Sequence, residues 1–596
     1  MTAAGLATLF ITEDLLHAQE ALKVGVEKVS RQRSAIENGL KWMDANFSPT
    51  ENPGKNTWFH YYLYGVERVG LASGYKTFGG KDWYREGAAQ IIHRLLKWDE
   101  SARSFSVNEN TWGSGRAAKV RLDDLAFGLM FLSRGRVPVA INKLEFGGAW
   151  NNRPRDVASL AAFLRETSET ELNWQIVKMA DGPETWLDAP MLYVASHESL
   201  PFIKGLRDAD FDIEGWVKQA KEFIRQRAAG EVAMDTPPPQ RPASAELDAL
   251  KRYLDLGGMI LAVAEGPGRP FAKTVEEAGL LMYPQYEWRD LPETHWAYML
   301  HAPLKSRRPQ LRSLSNGVRD LIILSPSGDM SAALQVNDLE KKQADFQALA
   351  NVYFYASELN ASRPRLERHA EYTAAGGAGG GGGAGGDVVI VRALHQGNWK
   401  PEPQALNVFA AWLREHRKIN VSIVDHPLAK IADMQPRPAL VIASGIERHE
   451  FSEDQQQAIK RYIEAGGVML FETPGGGKMS EFTVSAEAMC ADLFKRPVES
   501  LAHSGVLTGE GLSGAVDCTR VEYRPYALQV FGTRDTNPRI QGMSVAAGKQ
   551  PQILFSREDI SNGLLNQPVW GVIGYSAASG RNLLANVVQH AMAGGR

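Results

Sequence analysis

From residue 137 onward, short apolar runs alternate with longer stretches whose apolar positions recur every three or four residues. "PVAINKLEF", "PMLYVAS", "MILAVAEGPG" and "DLIILSPSGD" have the length of strands, while "RPRDVASLAAFLRET", "AELDALKRYLDLGG" and "ADFQALANVYFYASEL" carry helical spacing. Alternation of this kind predicts βαβ units on a parallel sheet. Residues 1–134 differ. There "ENGLKWMDANF", "WFHYYLYGVERVGLAS", "KDWYREGAAQIIHRLLKW" and "LDDLAFGLMFLSRGR" read as helices separated by Pro, Gly and Asn loops.

The α/β pattern occurs twice. "VAINKLEFGGAWNNRPRDVASLAAFLRE" from Val139 aligns without a gap to "VVIVRALHQGNWKPEPQALNVFAAWLRE" from Val388, placing Trp150 with Trp399. "PMLYVAS" pairs with "PALVIAS", setting Ser196 opposite Ser444. "LKRYLDLGGMILAVAEGPG" pairs with "IKRYIEAGGVMLFETPGGG", and Asp329 falls on Asp559. Between the copies lies "TAAGGAGGGGGAGG", Thr373 to Gly386, which has no side chains to bury and reads as a flexible tether. The expected organisation is a helical part over 1–134, a first α/β domain over 135–362, a Gly-rich linker over 363–386, and a second, degenerate α/β domain over 387–596. Each copy is expected to bury its own sheet. The first holds an extra Pro-rich loop over roughly residues 205–243.

Composition narrows the function. Net charge is −3, from 66 basic and 69 acidic residues, so no bulk field favours nucleic acid or an anionic membrane. Two cysteines, Cys490 and Cys518, are too few for a disulfide framework or a Cys-rich zinc site, and no cofactor is implied. No stretch is long and apolar enough to span a bilayer. The opening "MTAAGLATLFITEDLL" lacks a basic n-region and reads as a helix entered partway, so further sequence is expected upstream. The compartment stays open between cytoplasm and cell envelope.

Glycine-rich turns follow the third strand of each copy, at Glu265–Gly268 and Gly475–Gly477, with Arg269 and Lys478 just beyond. A Walker loop is excluded, because Glu472 holds its first glycine position and Met479 its magnesium-binding position. The dinucleotide fingerprint fails as well, since the first strand–helix turns read "EFGGAWNNRP" and "LHQGNWKPEP". An anion or carbonyl nest is left open. Gly257 and Gly466 follow a helix and precede a strand, where glycine serves as a helix stop. Trp150 and Trp399 read as aromatic plugs or as platforms at the sheet edge. Asp329 and Asp559 read as helix caps or as polar ligands. Ser196 and His197 lack the setting of a nucleophile elbow, and Glu293, His295 and His301 lack zinc-motif spacing.

The stretches "GGAWNNRP"/"QGNWKPEP", "LYVASHESLPF"/"LVIASGIERHEF", "YLDLGG", "LMYPQYEWRDLPETHWAYML" and "NGVRDLIILSPSGDMS" resemble the bacterial domain of unknown function 4159. "LVIASGIERHEFSEDQQQAIKRYIEAGGVMLFET" also resembles class I glutamine-amidotransferase-like and trehalose-utilisation-type folds. That resemblance implies flavodoxin-like sheets, but the amidotransferase cysteine is absent from "ASHES" and "ASGIE". "WFHYYLYGVERVGLASG" and "KDWYREGAAQIIHRL" resemble part of a terpenoid-cyclase/prenyltransferase toroid. Its acid motif is not matched by "RLDDLA", where Asp123 and Asp124 read as a helix-start pair.

The fold class expected is therefore a partial helical toroid followed by two flavodoxin-like parallel-sheet domains. The function expected is non-catalytic binding or scaffolding of a protein or peptide partner. Its candidate contacts are Trp150, Glu265, Arg269, Asp329, Trp399, Lys478 and Asp559. The alternative is an amidotransferase-like hydrolase or transferase using Ser196, His197, Glu265, His295 and Asp329.

Overall fold

The computed structural model describes residues 2–16, 31–54, 57–107, 122–305, 307–367, 388–477, 480–532, 534–545 and 550–594. Lys478 and the glycine-rich Thr373–Gly386 lie outside them. Two seven-stranded, mostly parallel sheets form the α/β part. The first contains β1 (Val139–Glu145), β2 (Asn173–Lys178), β3 (Met191–Ser196), β4 (Ile260–Ala264), β5 (Trp288–Asp290), β6 (Arg312–Ser315) and β7 (Asp320–Ser325). The second contains β8 (Val388–Leu394), β9 (Val421–Pro427), β10 (Leu440–Ser444), β11 (Val468–Glu472), β12 (Glu499–Ser500), β13 (Gln541–Met543) and β14 (Ile553–Ser556). The spatial orders, β2-β1-β3-β4-β7-β6-β5 and β9-β8-β10-β11-β14-β13-β12, are the same topology. In each, the sixth strand in that order pairs antiparallel with both of its neighbours.

Sheet register corrects one pairing. Leu192 lies opposite Ile260 and Val441 opposite Met469, so the pair Ala195–Val263 corresponds to Ser444–Glu472. Ser196 therefore matches Gly445, not Ser444. Packing fixes the slip. Leu192 and Val194 share a core with Leu250, Leu254, Phe271 and Val275 of the covering helices; Val441 and Ala443 share theirs with Ile459, Ile463, Phe482 and Ala486. Shifting a strand by one residue would turn every side chain to the wrong face.

The copies do not bury separate interiors, contrary to expectation. One apolar cluster includes Leu192 and Leu254 of the first copy with Leu470, Leu565 and Leu584 of the second. Gly257, in the left-handed region at φ 101, ends its helix, and a Cβ there would lie 2.7 Å from Gln567 of the second copy. Trp570 joins the other core cluster of the first copy, and its backbone N–H donates to the Tyr355 carbonyl at 2.8 Å. The two copies are therefore packed against each other.

The insertion in the first copy is also more ordered than a loop. It begins with helices Pro201–Asp208 and Ile213–Ala229, and only the strap after them is proline-rich. In the N-terminal part, helices span Thr2–Leu16, Arg31–Asn46, Phe59–Ser73, Trp83–Leu95 and Leu122–Gly135. The fourth stops before Trp98, because Leu96–Asp99 pairs with Ser104–Val107 in a hairpin. Asp123 and Asp124 do open the last helix, and Asp124 also reaches His60 Nδ1 at 3.1 Å. This helical part extends the first sheet: the Ile176 N–H donates to Gly74 O at 2.6 Å, and Lys76 N–H donates to Ile176 O at 3.1 Å. Gly74, at φ 79, permits that approach, since a Cβ would fall 2.4 Å from the Trp174 ring.

Candidate functional site

In open α/β sheets, ligands occupy the crevice at the carboxyl ends of the strands, where the order reverses. In the first copy that point lies between the loops after β1 and β3. Asn152 Nδ2 donates there to Glu265 Oε2 at 2.6 Å and to Ala149 O at 2.7 Å, and it lies 3.0 Å from His197 Nδ1. The next residue, Arg153, donates to Asp329 Oδ2 at 3.0 Å. Beneath them Lys143 donates to Asp156 Oδ1 at 2.7 Å, an ion pair with both members buried. Gly147, Gly148, Glu198, Pro267, Ser327 and Gly328 are exposed around the rim, Asn152 and His197 are half-buried, and Arg153, Ser196 and Glu265 are buried beneath them. Of His197, Glu265, His295 and Asp329, three gather here.

His295 does not. Its Nε2 lies 3.0 Å from Asp320 Oδ2, at the amino end of β7, and its Nδ1 accepts from Ala297 N–H at 3.1 Å. That pairing places the ring proton on Nε2 and leaves no lone pair to act as a base. Ser313 donates to the same Asp320 rather than to the imidazole, so no relay forms. The His301 ring lies tilted against Phe354 with centroids 4.4 Å apart, and Glu293 pairs with Arg308. Among the described residues no group of three acidic, His or Cys side chains could hold a metal. Ser196 Oγ is buried and accepts from Glu198 N–H at 3.0 Å. Arg269 is exposed in the first turn of its helix. Trp150 is half-buried against the core.

The equivalent crevice of the second copy is filled by the first. The turn Asn316–Arg319, between β6 and β7, enters it. Arg319 Nε and Nη2 donate to Glu402 Oε1 and Oε2 at 2.9 and 3.1 Å, with both side chains buried. Arg319 also donates to Leu254 O at 2.6 Å and Gly258 O at 2.8 Å, so all three guanidinium nitrogens are used. Asn316 Nδ2 donates to Pro401 O at 2.9 Å, and Asn398 Nδ2 donates back to Asn316 O at 2.6 Å. Gly317, at φ 86, lies against Ile446, and Val318 lies against Gly475. Beside this plug runs a cleft of about 2060 Å³ lined by Tyr286, His295, Trp399, Lys400 and Asp425. Trp399 is a wall of that cleft, with the Lys400 ammonium 5.4 Å from its ring.

The plug settles what the glycines do. Gly475 N–H donates to Asp559 Oδ2 at 2.8 Å, and Gly477 N–H donates to Arg557 O at 3.0 Å. Gly476, at φ 62, passes so close to Ile573 that a Cβ would fall 1.9 Å from its carbonyl oxygen. These N–H groups are used inside the protein rather than offered to an anion. Asp559 caps the helix Ser561–Leu565 by accepting from Gly563 N–H at 3.0 Å, and Asp329 caps Met330–Gln335 by accepting from Ala332 N–H at 3.2 Å. Glu472 joins the same end, accepting from Ile560 N–H at 2.8 Å and Ser561 Oγ at 2.7 Å.

The first-copy crevice has a titration signature. Burial and the nearby Asp156 push the Glu265 carboxyl up to about 7, against the Asn152 hydrogen bond and the charges of Lys143 and Arg153. Burial likewise pushes Glu67, Glu558 and Asp559 up to about 7. A folded value above the ordinary 4.5 means that the folded protein holds the proton more tightly than the unfolded one. The stabilisation is complete below 4.5 and is lost as pH rises through 7. Glu265 then costs up to about 3 kcal/mol at pH 8. The Glu265→Gln variant is expected to gain stability over wild type as pH rises from 5 to 8. Urea unfolding at several pH values measures this, and a difference that does not change with pH would contradict it.

Asn152, Arg153, Asn316, Arg319 and Glu402 build these two crevices, and none stands out in the sequence as a site residue. Two signals point to them: the Asn-Gly dipeptide of a tight turn at 316–317, and Glu402 standing where the first copy has Arg153.

No family model matches the protein, and no curated protein matches it. Among solved structures, it shows a likeness to a protein from Silicibacter pomeroyi named as a phosphosugar isomerase. The two are 9% identical with a TM-score of 0.12, over 61% of this protein and 90% of that one, a likeness too slight to carry any argument.

Proposed function

We propose that this is a non-catalytic binding or scaffolding protein of bacterial type, taking a protein or peptide partner. In this reading the two α/β units are flavodoxin-like domains related to the domain of unknown function 4159, and the helical part is a portion of a toroid. The observation that carries the reading is the asymmetry of the two crevices. One is occupied by a turn of the protein itself, and its equivalent receives no such turn among the described residues and has polar groups assembled around it. Among the described residues the open crevice brings together no nucleophile, base and orienting group. Ser196 is buried and bonded to a backbone N–H rather than to a base, and burial pushes the Cys518 thiol up to about 11 and Cys490 further still.

A second reading is supported by the gathering of His197, Glu265 and Asp329. It is an amidotransferase-like hydrolase or transferase in which Glu265 carries the proton. Turnover of ester, amide and phosphoester substrates separates the two. The binding reading predicts background rates, equal in wild type, Ser196→Ala and Glu265→Gln. Turnover that falls at least tenfold in either variant would overturn it.

A further inference from the structure

The register that relates the two sheets also relates the walls of their crevices. The plug in the second copy touches Asn398, Pro401, Glu402, Ile446 and Gly475. Continuing the same register through loops of equal length, the first-copy counterparts are Ala149, Asn152, Arg153, His197 and Gly266. The backbone setting is therefore the same: two loops after neighbouring parallel strands and a glycine turn after the next. Gly266, like Gly475, has positive φ, at 55 and 82. In one setting the occupant is seen, and it is a four-residue turn held through the Asn316 side chain and carbonyl and one terminal charge.

We propose that the open crevice of the first copy receives a reverse turn of a partner polypeptide, seated as Asn316–Arg319 is seated in the second copy. This rests on the reading of the protein as a protein-binding scaffold and names the form of its partner. Chemistry sharpens the match. Where the second copy has Pro401 and Ile446, the first has Asn152 and His197, which hydrogen-bond to backbone carbonyl and N–H groups rather than pack on apolar side chains. Where Glu402 receives Arg319, the first copy has Arg153 with Asp329 beside it. Arg153 is buried and paired with Asp329, so that position offers an arginine no counterpart of the Glu402 carboxylate, and the protein's own turn is matched to its second copy. The partner turn carries a residue other than arginine at that position.

Panning the full-length protein against two displayed peptide libraries tests this. One library holds disulfide-closed loops of four random residues, and the other holds linear peptides of eight. The expected result is enrichment of closed loops lacking arginine at the fourth position. Their binding should weaken at least tenfold in Asn152→Ala and in His197→Ala, and should slow amide exchange at residues 147–152 and 197–199. Closed loops that bind both variants as tightly as wild type would overturn the proposal, as would protection confined to other surfaces. Enrichment of linear peptides alone would overturn the turn proposal and leave the binding reading standing. Enrichment from neither library would count against both.

Discussion

Replacing Glu402 with alanine should destabilise the protein by about 3–5 kcal/mol, the usual penalty for leaving a buried charge without its partner. Arg319 has no route to water: its side chain is 2% exposed, and Glu402 is fully covered. The loss has two parts. Arg319 keeps its hydrogen bonds to Leu254 O and Gly258 O but loses the carboxylate that balances it. Asn316 and Asn562, which both donate to Glu402 Oε1, lose an acceptor at the same time. Because the pair joins the two copies, the variant should also uncouple their unfolding. The pair Arg319→Met and Glu402→Leu should recover part of the loss, since apolar side chains of similar volume remove both charge-desolvation costs while Gly258 O and the Asn562 amide still lose a partner. Urea denaturation followed by circular dichroism reads both effects. A Glu402→Ala loss below about 1 kcal/mol would mean that the ion pair does not hold the copies together.

Substituting alanine for Gly476 should cost about 3 kcal/mol, from a side chain forced into the left-handed region plus overpacking. The Cβ has nowhere to go. It would meet the Ile573 carbonyl at 1.9 Å and the Asp559 N–H group at 2.8 Å, and both are backbone atoms. Gly147 supplies the control in the first-copy loop. It also has positive φ, at 86, but no atom lies within 4 Å of its Cβ position. Gly147→Ala should therefore show the strain alone, about 1 kcal/mol. Thermal unfolding of the two variants side by side separates strain from crowding. Equal losses would show that the loop around Gly476 can move aside, and a phosphate-holding role for it would return to consideration.

Much of this architecture is readable from residue pattern. "PMLYVAS" and "MILAVAEGPG" form strands β3 and β4, and the Gly257 and Gly466 helix stops both adopt positive φ. Those features are local, set by alternation and by the steric freedom of glycine. The one-residue slip at Ser196 arises because the strings "YVAS" and "VIAS" match letter by letter, whereas register is decided by which face meets the covering helices. The helix Ile213–Ala229 is masked by the neighbouring "DTPPPQRP", although "EGWVKQAKEFIRQRAAG" has helical spacing. The crevices are the least legible part. Glu402 lies 83 residues from Arg319, and nothing local to either residue announces a partner in the other copy. Of His197, Glu265, His295 and Asp329, all but His295 share a crevice. His295 lies elsewhere because Asp320, on the opposite end of the sheet, binds it.

One crevice of a doubled domain is plugged from within, while its twin receives no such turn among the described residues. Amide hydrogen exchange, resolved by peptide, measures that contrast in one experiment. The account predicts slow exchange across 316–319, 397–402 and 474–477, and exchange faster by at least tenfold across 147–152, 197–199 and 265–268. Equal rates in the two sets of loops, or faster exchange in the 316–319 turn than in the first-copy rim, would contradict it.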